Sequence, residues 1–199
     1  LKVRLAITGG IACGKSVVGA LLARRGIPVC DADELAHEAL DGDGPTRAAV
    51  EAEFGAGLLI EGGMFDRRRL GAVVFKDAAA RARLEAILHP VVLGRMREWV
   101  AEQSRRHDMV AGIVPLLYEI ADQANWDVVL CVATTADIQI RRLATRGLSE
   151  AAADDRIAAQ MKTVEKMKWA DFVVSNQGTL AMLGEQIDRV LRRIRREFV

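Results

Sequence analysis

The sequence predicts an α/β fold in which a five-stranded parallel sheet is flanked by helices. Three observations predict it. Five short and mostly apolar runs occur, at Val3 to Thr8, Ile27 to Cys30, Met109 to Val114, Val128 to Ala133 and Phe172 to Ser175. Such runs mark strands buried on both faces. Stretches of helical character separate them, the alternation expected of a covered parallel sheet. A glycine turn joins the first run directly to the first helix.

Taken in order, Val3 to Thr8 is a strand, and the stretch from Lys15 to about Arg25 is a helix. The second strand ends at Asp31 and leads into a helix through Leu40. About 75 residues with little strand signal follow, in which Arg67 to Phe75, Ala78 to His89 and Val91 to Arg106 read as helices. A crossover this long exceeds what a sheet needs, so it predicts a helical subdomain at about 61–106. A second helical and charged excursion, about 141–169, precedes the last strand and has little apolar surface of its own. The core then comprises about 1–60, 107–140 and 170–199. The last helix, from about Thr179, places Leu180, Leu183, Ile187, Val190, Leu191 and Ile194 on one face.

With 199 residues, the chain is long enough for one such domain carrying its excursions. Only 5% of residues are aromatic while 51% are hydrophobic, so the core must be built mainly from Ala, Val, Leu and Ile. A formal charge of +1 argues against a nucleic-acid partner, which selects a clear basic excess. Cys13, Cys30 and Cys131 are far apart, have no metal-ligand spacing and are odd in number, which suits reduced thiols in the cytoplasm. No run is long and apolar enough for a membrane span, and the first residues lack a signal-peptide pattern. No obligate protein partner is evident.

The strongest motif is Gly9-Gly10-Ile11-Ala12-Cys13-Gly14-Lys15-Ser16, which fits G-x-x-x-x-G-K-[ST] without mismatch. Glycine lets the backbone turn and approach phosphate with no Cβ in the way. The N–H groups of Gly10, Ile11, Ala12, Cys13 and Gly14, with the start of the helix at Lys15, Ser16 and Val17, would form an anion nest. Lys15 would bridge the β- and γ-phosphates of ATP, and Ser16 would hold Mg²⁺. Strand, glycine loop and helix together predict a P-loop NTPase fold. Cys13 reads either as a redox switch or as a small filler.

Asp31-Ala32-Asp33 stands at the carboxyl end of the second strand, where open α/β sheets bind ligands. A carboxylate there can take a proton from an attacking hydroxyl, although Asp31 equally suits a helix cap. Arg142 and Arg146, four apart, share a helix face that is either solvated or turned to a triphosphate. Glu119 reads as a solvated loop residue or as a group near magnesium.

The chain resembles the dephospho-CoA kinases. The residues that carry the resemblance are Thr8 to Ser16, Asp31-Ala32-Asp33-Glu34-Leu35-Ala36, Phe54-Gly55, Phe65 to Leu70, Leu84 to Pro90, Pro115-Leu116-Leu117-Tyr118-Glu119, Arg142 to Arg146, Arg156 to Gln160, and Ala170-Asp171 with Asn176. The resemblance implies a nucleotide core, a helical substrate domain and a lid. It implies Asp33 as catalytic base toward the ribose 3′-hydroxyl of dephospho-CoA, with Arg67 and His89 at the acceptor site. Arg142 and Arg146 would belong to the lid, with Arg142 also catalytic, and Asn176 would lie near the adenine. His89 before Pro90 also suits a plain junction between two helices.

Two departures stand out. The third strand carries no acidic residue, so a Walker-B aspartate is missing, and magnesium would rely on Ser16, water and a carboxylate from Asp31 or Asp33. Val17 stands where a Thr often follows the loop Ser. The alternatives are another P-loop small-molecule or nucleotide kinase, or a nucleotide-binding regulatory module. A GTPase is disfavoured, since N-K-x-D is absent and Asp41–Gly44 matches D-x-x-G only as a turn.

Overall fold

The computed structural model describes residues 2–42, 44–60 and 64–198. Asp43 of the Asp41–Gly44 turn and the first residues of the expected 61–106 subdomain lie outside them. In chain order the elements are β1 (Val3–Thr8), α1 (Lys15–Ala23), β2 (Val29–Asp31), α2 (Ala32–Asp41), α3 (Pro45–Phe54), α4 (Arg67–Lys76), α5 (Ala78–Gln103), β3 (Met109–Ile113), β4 (Val128–Ala133), α6 (Ala136–Ala144), α7 (Glu150–Ala158), α8 (Thr163–Trp169), β5 (Phe172–Ser175) and α9 (Leu180–Phe198).

The five strands form one sheet in the order β2-β3-β1-β4-β5, with every pairing parallel. β1 is central, pairing Ile7 with Ile113 on one side and Thr8 with Cys131 on the other. Its exit, where the glycine motif starts, therefore lies beside the carboxyl ends of β3 and β4. Pairing of β2 starts at Val29, later than the expected Ile27. Pro28 has no N–H to donate, though its carbonyl accepts from Ala111. The main core joins Leu5 and Ile7 of β1, Val18 and Leu22 of α1, Leu130 and Val132 of β4, and Leu183, Ile187 and Ile194 of α9. Leu180 departs from the expected face and is 54% exposed, because it opens α9 before the helix settles on the sheet.

The chain divides into one compact unit of residues 1–31 and 100–199 and another of 32–99. The helical unit thus begins at Ala32 rather than near 61. The reason is packing: Ala39 and Leu40 of α2 and Val50 of α3 share a buried cluster with Phe65, Leu70, Val74 and Leu88. α3 has Pro45 in its first turn, where a missing N–H costs nothing. The helix expected to break at Pro90 is instead one helix, α5, of 26 residues. Leu88, Val92, Met96 and Val100 are buried at four-residue spacing on both sides of the proline. That continuous apolar stripe outweighs the one backbone hydrogen bond that proline forfeits.

Candidate active site

The glycine loop occupies the turn between β1 and α1 as expected. Gly9 has φ of 141° and Gly14 of 98°, both in the region that favours glycine. A Cβ on Gly9 would stand 2.2 Å from the carbonyl oxygen of Val132, and one on Gly14 would stand 2.0 Å from Asn176 Nδ2. Ala12 also has positive φ, 56°, a strain of roughly 1–3 kcal/mol that only firm surroundings maintain. Those surroundings are Leu143 of α6 and Ala153 of α7, buried with Ala12 in one cluster that Ile11, Leu148 and Ile157 pack against. The 141–169 segment therefore has more apolar anchorage than its charge suggests.

The loop is held through its carbonyls. Gln139 Nε2 donates to Ile11 O at 2.6 Å, Arg142 Nη1 to Ala12 O at 3.0 Å and Cys13 O at 3.2 Å, and Asn176 Nδ2 to Cys13 O at 2.9 Å. In a trans peptide the C=O and the following N–H point in opposite directions. Fixing these carbonyls on one side thus turns the N–H groups of Ala12 and Gly14 to the other, the arrangement that a phosphate needs. Gly14 caps α1 without a side-chain hydrogen bond, and the first turn of α1 has no acidic residue. The positive end of the helix dipole is left for an anion.

Lys15 Nζ donates to Gly9 O at 3.1 Å and Gly10 O at 2.9 Å, folded back over its own loop. Ser16 and Val17 are exposed on the first turn of α1. Asp31 is half-buried as the last residue of β2, and Asp33 is exposed in the first turn of α2. Among the described residues no group of three or more His, Cys, Asp or Glu is arranged to hold a metal ion. Ser16 and Asp31 offer the hard oxygen donors that Mg²⁺ takes, an ion that keeps several waters and draws other ligands from phosphates.

The structure places Arg142 differently from a residue waiting over solvent. Its guanidinium is half-buried and also donates to Asn176 O at 3.0 Å, so it buttresses the loop. Arg146 is exposed and lies beyond α6. Leu148 N–H donates to Leu143 O and Gly147, φ 83°, to Ala144 O, a Schellman-type stop that ends the shared face. Asn176 is buried, its amide committed to Cys13. In the other unit, Arg67 opens α4 and forms an ion pair with Asp41, while Asp66 caps that helix. His89 is half-buried within α5, which removes the reading of it as a helix junction.

Cys13 is fully buried in the main core, in keeping with a filler. Burial pushes the thiol of Cys131 up to about 11, with Cys13 raising it further and Lys166 and Lys15 opposing, so it stays a thiol at neutral pH. Sequence reasoning missed Gln139, Thr163 and Lys166. Thr163 Oγ1 sits 2.3 Å from where a Cβ of Gly10 would be. A buried Gln one turn before Arg142 on α6 was the available signal for the first of these.

A central parallel strand, a phosphate loop with its lysine and serine, and the β2-β3-β1-β4-β5 order define a P-loop kinase. The family model for dephospho-CoA kinase matches residues 3–182. A dephospho-CoA kinase of Anaeromyxobacter dehalogenans is 46% identical over 96% of this chain and 92% of its own length. A crystal structure from Thermus thermophilus superposes with TM-score 0.79 at 34% identity, covering 100% of this chain and 98% of that one. The dephospho-CoA kinase of Campylobacter jejuni gives 0.73 at 27% identity, with 100% of both chains covered. The chain belongs to the dephospho-CoA kinase family.

Proposed function

We propose that this protein transfers the γ-phosphoryl group of ATP to the ribose 3′-hydroxyl of dephospho-CoA, giving coenzyme A and ADP. The observation that carries the reading is an intact phosphate loop, with carbonyls anchored and N–H groups turned inward, in a chain whose family match runs from residue 3 to 182. The ribose oxygen attacks the γ-phosphorus, the bond to the β,γ-bridging oxygen breaks, and the hydroxyl proton passes to Asp33. Gly10 to Gly14 and the first turn of α1 hold the phosphates. Lys15 leaves the carbonyls of Gly9 and Gly10 to bridge the β- and γ-phosphates.

Mg²⁺ would be held by Ser16, with Asp31 through water, and when bound it supplies charge neutralisation on the phosphates. Arg67 and His89 bind the acceptor, Arg146 reaches the triphosphate, and Arg142 and Asn176 keep the loop in shape near the nucleotide. The 32–99 unit serves as the substrate domain and 141–169 as the lid. Among the described residues no helix is long and apolar enough to cross a membrane, and three buried cysteines outside any disulfide support a cytoplasmic setting.

The test is a mass spectrum of dephospho-CoA incubated with the protein, ATP and magnesium. A gain of one phosphoryl group at the 3′ position is expected, with AMP, adenosine and shikimate far poorer acceptors. Turnover of one of those with none of dephospho-CoA overturns the substrate and leaves the kinase class standing.

A further inference from the structure

We infer that Lys166 is a positioning residue for phosphoryl transfer: paired with Glu119, it pins α8 and the turn before it to the loop that follows β3, beside the phosphate loop. The inference begins from burial. Lys166 is 0% exposed, and a fully buried ammonium is costly unless it is paired and hydrogen-bonded. It is both. Its Nζ donates to Pro115 O at 2.6 Å and meets Glu119 Oε1 at 2.8 Å.

Each partner makes a second connection. Glu119 Oε1 also accepts the Met161 N–H at 3.0 Å, in the turn between α7 and α8. Pro115 O also accepts from Thr8 Oγ1 at 3.4 Å, and Val114 N–H donates to Ile7 O at 2.9 Å. Thr8 is the residue before Gly9, where the phosphate loop begins. At the other end of the pin, Thr163 opens α8 with its hydroxyl over Gly10. Tyr118, in the same loop as Glu119, meets Trp169 edge-on with ring centroids 5.2 Å apart. One lysine thus ties together the exit of β1, the exit of β3 and the start of α8.

A buried ion pair is weak evidence of stabilisation, because apolar replacements of such pairs are often neutral. What it provides that apolar contacts lack is direction. One short hydrogen bond to Pro115 O and one ion pair with Glu119, meeting on a single nitrogen, fix where α8 stands, and so where Thr163 meets the loop. The phosphoryl transfer proposed above uses neither Lys166 nor Glu119. Their part in turnover rests on the kinase reading above, whereas their part in shaping the nucleotide site does not.

The test uses Lys166→Met, which keeps the chain length without the charge, and the milder Glu119→Gln. Both are measured below the melting temperature of every variant. Lys166→Met is expected to lower kcat by about 10- to 100-fold, the range for a small misplacement of reacting groups. It should also weaken binding of a non-hydrolysable ATP analogue and speed amide exchange at Met161, with KM for dephospho-CoA unchanged. Glu119→Gln should move each readout in the same direction by less, and the double variant should be no worse than Lys166→Met alone. Unchanged kcat and unchanged ATP-analogue affinity in folded Lys166→Met overturn the inference. So does a kcat loss without any change in analogue affinity or Met161 exchange. If Lys166→Met fails to fold, Glu119→Gln decides by the same criteria. Should the wild-type protein fail to phosphorylate dephospho-CoA, the functional reading falls, while analogue affinity and Met161 exchange still judge the pin.

Discussion

The phosphate loop and the helical unit of residues 32–99 are held together by different forces. Around the loop, Gln139, Arg142 and Asn176 each donate to a chosen carbonyl, and Gly9, Gly10 and Gly14 leave no room for a Cβ. The helical unit is held by an apolar cluster around Val50, Phe65, Leu70 and Leu88, with ion pairs such as Arg83–Glu53 at its surface. Exposed pairs of that kind contribute about 0–1 kcal/mol. The difference teaches where precision is needed. Groups that must meet a phosphate are placed by directional bonds, whereas the helical unit rests on packing.

The sharpest way to separate the two regions is to remove chemistry from one and charge from the other. Asp33→Asn should lower kcat by roughly 10²- to 10⁴-fold, the range for a positioned general base, with little change in nucleotide affinity. Lys15→Ala should cost about 10²- to 10³-fold in kcat and weaken ATP binding as well, since it strips a phosphate ligand. Steady-state kinetics beside calorimetric ATP titration read both. Near-normal kcat in Asp33→Asn would leave that residue only its place in the first turn of α2, where an acidic side chain suits the helix dipole.

Leu70→Ala breaks the helical unit from within. Leu70 is 3% exposed, so its truncation should destabilise by about 2–5 kcal/mol in chemical denaturation. ATP-analogue affinity should hold at temperatures where the protein is folded, because the loop's anchors all lie in 1–31 and 100–199. A matching loss of affinity would refute the separation.

Arg142→Ala tests the loop side. It deletes the donor to Ala12, Cys13 and Asn176 carbonyls, hydrogen bonds to a charged group worth about 1.5–3 kcal/mol. Weaker ATP binding and faster amide exchange across 9–14 are expected. Unaltered exchange in that stretch would show that Gln139 and Asn176 suffice.

The smallest effect belongs to a pair that is part of neither. Arg4 bonds Asp127 at 2.6 Å and holds its carboxyl below the usual carboxylate range. A lowered folded value means the contribution is present above the ordinary carboxylate pKa and is lost as pH falls through the lowered one. Both side chains are partly exposed, so the term is at most about 1 kcal/mol. Asp127→Asn should therefore lower the melting temperature slightly at neutral pH and converge with the parent in acid.

Much of this was legible before any coordinates. β1, β4 and β5 have the bounds that their apolar runs predict, and the loop motif lies where its spacing says. Local patterns failed where a distant partner decides. Pro90 argued for a break, yet the buried stripe from Leu88 to Val100 carries the helix through it. Lys166 sits in a charged stretch that reads as solvated, and only the fold brings Glu119 and Pro115 to it. Arg142 stands out in the sequence as a candidate. Its grip on carbonyls some 130 positions away was not legible, because nothing in the motif shows what stands behind it.

The folded-back lysine of the loop bears on how a turnover ends. With Gly9 and Gly10 carbonyls as its resting partners, Lys15 always has somewhere to go when phosphate departs. Its ammonium need not be stranded in a half-closed site while ADP leaves, nor wait for bulk water to resolvate it. For a Lys15 that bridges the phosphates as proposed, the loop's own oxygens compete with the product for the same cation. Nucleotide affinity is the net of those two sets of contacts, so the resting contact weakens capture of the nucleotide.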